Sequence, residues 1–200
     1  MDTITMSAGR ALAAGGVLTL VILIAWLALA GADAHGFASF LLRWLHILGA
    51  MLWIGMIWFV NFIQLAAVQQ ADDPGRRTLM SLIVPRVAQS FRHASNLTVL
   101  SGVLLLVTTG YLLDGLIFST PVWLPTARTT MLWAGVVGGF VMWGFVHHVI
   151  WPNLQIVLGE RAGDAAAKEL ARQKVKTYAR LNLVLAVPVT FVMVAAPHLY

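Results

Sequence analysis

The sequence predicts an all-α, polytopic membrane protein, a bundle of helices each able to cross a bilayer. Three observations predict this. Hydrophobic residues fill 60% of the 200 positions and charged residues only 10%, against a charged share of about 25% in soluble domains. The apolar residues gather in runs of about 20, enough to cross a hydrocarbon layer of about 30 Å. The basic residues behind the net charge of +5 collect at the amino terminus and in two connections. They form no stripe beside aromatics, which speaks for membrane orientation and against nucleic-acid binding.

Five spans follow in order. The first covers about Ala11–Ala30. Its Arg10, apolar run and small-residue tail LALAGADA also fit a secretory signal. A run of about 20 residues exceeds the usual signal core of 7–15, so a retained helix or signal anchor is expected. Residues 1–37 are thus set apart from a four-helix membrane domain over 38–200. Span two covers about Ala38–Gln64, its helix running on to Gln70, and span three about His93–Asp114, with a start as early as Pro85. Span four covers about Thr129–Trp151, with Pro152 expected to end it. Span five covers about Tyr178–Ala196 and carries Pro188, which removes a backbone donor and predicts a kink. The Ala-, Lys- and Glu-rich stretch Gly159–Thr177 predicts a short helix continuing into span five. Gly115–Arg128, with Pro121, Trp123 and Pro125, predicts an interfacial turn with an aromatic anchor.

Charge orients the chain. Arg10 precedes span one, four arginines separate spans two and three, and six basic residues lie between span four and the first turn of span five. Together they are eleven of the thirteen basic residues. With five spans all eleven fall on one side, so the amino terminus is expected in the cytoplasm and the carboxyl terminus outside. A bacterial inner membrane, with the lipid bilayer as first partner, is the expected location.

Six histidines are the main carriers of chemistry, and cysteine is absent. Absence of thiols removes iron–sulfur clusters and Cys-x-x-Cys-His haem attachment, leaving His, Met or oxygen as ligands. His35, His46 and His198 fall near the external side, and His93, His147 and His148 near the cytoplasmic side. A b-type haem or a copper ion needs two or more neutral imidazoles at one depth on facing helices. His46 lies deepest, on one helix face with Arg43, Gly49 and Trp53. His198 is its candidate partner, and His93 with His147 is the alternative ligand set. A helix-packing hydrogen bond is the competing role for His46. Met51, Met56, Met131 and Met142 are further soft ligands, although scattered membrane methionines more often pack. Gly135, Gly138 and Gly139 predict close helix approach, and Asn61, Gln64, Asn96, Thr98 and Ser101 interhelical hydrogen bonds. No carboxylate falls in a membrane core, which disfavours ion-driven transport.

Four stretches together resemble the membrane domain of bacterial cytochrome-c-linked urate hydroxylases, the urate oxidase N-terminal family. They are RWLHILGAMLWIGMIWFVNFIQ (Arg43–Gln64), PRVAQSFRHASNLTVLSGVLLL (Pro85–Leu106), IWPNLQIVLG (Ile150–Gly159) and ARLNLVLAVPVTFVMVAAPHLY (Ala179–Tyr200). The resemblance runs from about Ala38 onward and implies that Arg43, His46, Trp53, Gly55 and Asn61 occupy motif positions. Trp151, Pro152, Asn153 and His198 match others. Full-length members add membrane helices and a cytochrome c domain, whose cysteines this sequence lacks, so urate hydroxylation by these residues alone is not expected. Weaker likenesses to copper-resistance membrane proteins and a haem-biosynthetic protoporphyrinogen oxidase do not explain IWPNLQIVLG.

The resemblance implies a redox-associated membrane protein. His46, with His198, would hold a b-type haem or metal, Arg43 would face a haem propionate or anionic substrate, and a c-type cytochrome or larger membrane complex would be the partner. Two alternatives stand beside it: a cofactor-free accessory or scaffold subunit, and a copper-handling protein.

Overall fold

The computed structural model describes residues 7–31, 33–112 and 127–199. Among them the chain is entirely helical, with five helices long and apolar enough to cross a membrane. The expected loop anchor around Trp123, and Asp114 beside it, lie outside the described residues. The chain divides into two compact units, Met1–Phe40 and Leu41–Tyr200.

In the first unit, α1 (Ala8–Ala30) opens on Ser7, whose hydroxyl accepts from the Arg10 N–H at 3.3 Å, and closes on Gly31 with φ of 62°. Asp33 then caps the next helix by accepting from the Gly36 N–H at 2.7 Å. That bond holds the Asp33 carboxyl below its ordinary range. Trp26 and Phe40 place their rings 5.7 Å apart.

The second unit holds the remaining four spans. The chain passes through α2 (Ala34–Phe59), a wide π turn (Val60–Gln64) and α3 (Leu65–Gln70). The short α4 (Asp73–Thr78) leads through a second π turn (Leu79–Ile83) into α5 (Val84–Thr108). Then come α6 (Ala127–Gly144), a third π turn (Phe145–Ile150) and α7 (Trp151–Leu158). The last helix, α8 (Ala165–His198), begins at an Asp164 cap and runs 34 residues through Pro188 without a break. Its start confirms the helix expected within Gly159–Thr177.

Pro152 does not end span four. It occupies the first turn of α7, directly after the third π turn, as Pro85 does in α5 after the second. A proline offers no N–H to the carbonyl four residues back and crowds it. Widening the preceding turn relieves that crowding and lets the helix continue. The first π turn has a different cause. There Asn61 inserts its side chain into the ladder, donating Nδ2 to the Ile57 carbonyl at 2.9 Å.

The core draws on all four spans of this unit: Trp53, Ile57, Phe91, Ala94, Met142, Val146 and Ala186. Met142 is thus a packing residue. Small polar residues share this interior, and the outer surface is apolar. Asn61, Ser95, Thr98, Ser101 and Asn182 are buried, while Leu100, Val137, Val184, Phe191 and Val194 face outward. Such a surface suits lipid, and buried small polar groups suit helix–helix contacts within it. The glycine face of α6 works as expected at two of its three positions. A Cβ on Gly135 would lie 3.0 Å from Met193, and one on Gly138 2.5 Å from Val189, so α6 and α8 pack closely. Gly139 faces open space.

Candidate functional site

Two places in the second unit concentrate polar chemistry. The first surrounds His46. Gly49 on α2 lies so close to α5 that an added Cβ would stand 2.8 Å from Thr98 Oγ1 and 3.0 Å from the Thr98 backbone N. Gly102 lets the His46 ring lie across α5, 2.9 Å from where its own Cβ would be. These two approaches bring His46 Nδ1 within 2.9 Å of the Thr98 carbonyl oxygen. A carbonyl only accepts, so Nδ1 carries the proton and Nε2 of the neutral ring keeps its lone pair. Thr98 Oγ1 itself turns back to the Ala94 carbonyl at 2.8 Å.

The other candidate ligands each make their own contacts. His198 is exposed and donates Nδ1 to the Val194 carbonyl of its own helix at 2.9 Å. No hydrogen bond joins it to His46 among the described residues. Arg43 is exposed, one turn before His46. At the opposite end of the bundle His93 is exposed, while His147 stacks 4.7 Å from Trp143 and sits 3.3 Å from Ser95 Oγ. Ser95 spends its proton on the Arg92 carbonyl, so His147 Nε2 is the donor in that pair. No hydrogen bond joins His93 to His147 among the described residues. Among the described residues no three or more His, Cys, Asp or Glu side chains gather as a metal cage.

The second place is a cavity of about 420 Å³ at the basic end of the bundle. Along α2 it begins at Ile57, about 16 Å of helix rise from His46. All three π turns reach its wall, through Val60, Asn61 and Gln64, through Met80, and through Val146 and Ile150. The lining is chiefly aliphatic, with Phe91 and Trp151 as its aromatic faces. Amides form its deep end. Asn61 donates Nδ2 to the Ile57 and Ala179 carbonyls, leaving Oδ1 without a partner among the described residues. Asn182 is fully buried, and among the described residues neither its Oδ1 nor its Nδ2 has a hydrogen-bond partner. Gln64 Oε1 is likewise unpaired.

Toward the chain connections the cavity is rimmed by Arg76, Arg92, Arg172 and Lys176, and among the described residues no carboxylate lines it. Arg172 contacts Glu169 at 3.2 Å and Arg76 approaches Asp73 at 4.0 Å. Arg92 lies 4.1 Å over the Trp151 ring, its buried Nε without a hydrogen-bond partner among the described residues. Buried polar atoms are normally satisfied, so a group of orphans around one cavity calls for a partner that is not protein.

Sequence reasoning reached Asn61 and Gln64 as interhelical bonding groups but missed Asn182 and the cavity. The one available signal was an amide inside the apolar run LNLVLAV. The family resemblance had marked Asn61 and Trp151, both of which line this cavity. The fold is that of an all-helical protein, among the described residues, with five helices long and apolar enough to cross a membrane, as a multi-pass membrane protein requires. Comparisons with family models, curated proteins and solved structures give no match, so the resemblance in Arg43–Gln64 and Ile150–Gly159 rests on those motifs alone.

Proposed function

We propose that the chain is a redox-associated inner-membrane protein of the urate-hydroxylase membrane-domain type, in which His46 holds a b-type haem or a metal ion. The observation that carries this reading is the His46 Nδ1–Thr98 carbonyl bond of 2.9 Å. Metal-ligating histidines are oriented in this way, the far nitrogen donating to a backbone carbonyl while the near one keeps its lone pair. His198, whose Nδ1 is likewise engaged by a carbonyl, would be the second ligand. Arg43, one turn from His46, would face a propionate or another anion. The bound group would carry single electrons; His46 and Thr98 fix where it sits.

In this reading the basic end faces the cytoplasm and the His46 end the periplasm. The charge distribution supports that orientation. Single cysteines test it cleanly in a chain without native thiols. Arg77→Cys and Gln173→Cys are expected to resist a membrane-impermeant thiol reagent in intact cells, and Leu199→Cys to react. The reverse pattern refutes the orientation.

An absorption spectrum tests the ligand. Purified protein is expected to show a Soret band, or stoichiometric iron or copper, that His46→Ala abolishes. Neither signal in the wild type would remove the redox reading. The contact of the His46 ring with Gly102 favours a second reading, a cofactor-free scaffold subunit. There His46→Ala loses only one packing hydrogen bond and still folds.

A further inference from the structure

We infer that the cavity at the basic end binds a short amphiphile that is polar at both ends. One end carries an acid, the middle is apolar, and the far end carries a hydroxyl or similar hydrogen-bonding group. This inference is independent of His46. Each part of the ligand answers a part of the site. The rim presents four basic side chains, of which Arg92 and Lys176 have no acidic partner among the described residues. A single anion there meets charge-assisted donors and no opposing carboxylate. The aliphatic wall between rim and floor takes a hydrocarbon body.

The floor decides the far end. Asn61 Oδ1 is fixed as an acceptor, because its Nδ2 already serves two carbonyls, while Asn182 offers a donor and an acceptor, all unpaired. A hydroxyl gives and takes one hydrogen bond each and matches that pair. The acyl tail of a phospholipid would leave these atoms orphaned, which argues against the bilayer as the source. Size agrees. Asn182 lies six residues from Lys176 and ten from Arg172 on α8, about 9 and 15 Å of helix rise. Scaled from a cavity of about 150 Å³ that holds benzene, the volume admits roughly 17 non-hydrogen atoms. A ten-carbon hydroxy acid falls within both limits.

The test is calorimetric titration of the full chain in phosphatidylcholine nanodiscs, with empty nanodiscs subtracted. Three probes separate the two ends: ω-hydroxydecanoate, decanoate and α,ω-decanediol. Saturable one-site binding of ω-hydroxydecanoate is expected, with decanoate and the diol each weaker by at least about fivefold. In Asn182→Leu the advantage of ω-hydroxydecanoate over decanoate should vanish. Gln64→Leu should reduce it, and reads the same floor if the first variant does not fold. Lys176→Gln with Arg172→Gln should weaken both acids and spare the diol. Equal binding of the two acids by the wild type, or uptake no greater than that of empty nanodiscs, overturns the proposal. So does an anionic phospholipid that co-purifies and that ω-hydroxydecanoate cannot displace from nanodiscs containing phosphatidylglycerol.

Discussion

A Gly49→Val protein is expected to be less stable than the wild type by about 3 kcal/mol, the upper end of the cost of overpacking. The loss should appear as unfolding at a lower denaturing-detergent fraction, followed by tryptophan fluorescence. The reason is backbone contact. A Cβ at Gly49 meets Thr98 Oγ1 at 2.8 Å, the Thr98 backbone N at 3.0 Å and Leu97 Cγ at 3.2 Å. A side-chain tip can swing away, but a helix backbone yields only if α2 and α5 separate. Separation would also lengthen the His46–Thr98 bond, so any spectral signal dependent on His46 should fall with stability. Gly55, six residues further along α2, is the control. Nothing lies within 4 Å of its added Cβ, so Gly55→Ala should be neutral or slightly stabilising through helix propensity. Equal stability of Gly49→Val and wild type would mean that α2 and α5 do not touch there.

Glycines also show how far the sequence could be read. Close approach was legible at Gly135 and Gly138, because small residues at helical spacing permit it whatever the partner helix, but the same reading failed at Gly139, and Gly49 was read only as sharing a face with His46. Which helix meets which glycine was not visible, since that depends on contacts between distant segments. His46 illustrates the point. Its place on a face with the buried Gly49 and Trp53 was legible, but its carbonyl partner is 52 positions away on α5, and a backbone acceptor leaves no mark in residue type. The π turns were missed for a related reason. Pro85 and Pro152 were read as a helix start and a helix stop, because a proline within a regular α-helix breaks it. A wider turn just before each proline keeps the span going, so span four extends to Leu158. The cavity then gathers residues from every one of these irregular turns. Hydrophobic periodicity describes regular helices, and it therefore says least where the helices depart from regularity.

Two amides that face one cavity should respond to the same substitution with opposite signs. Asn182→Leu is expected to stabilise the ligand-free protein by about 1–3 kcal/mol, because it removes buried donor and acceptor atoms that have no partner. The larger leucine side chain can extend into the adjoining cavity, so overpacking does not cancel the gain. Asn61→Leu is expected to destabilise by about 1–2 kcal/mol, since it takes a donor from the Ile57 and Ala179 carbonyls. Reversible detergent unfolding of the two variants beside the wild type reads both signs. A natural sequence that keeps an unsatisfied amide where leucine would be more stable gives up stability at that position, a pattern typical of functional sites. If Asn182→Leu instead destabilises as much as Asn61→Leu, ordered water already satisfies Asn182 in the empty cavity. The amide would then be part of the structure and no longer evidence of an absent ligand.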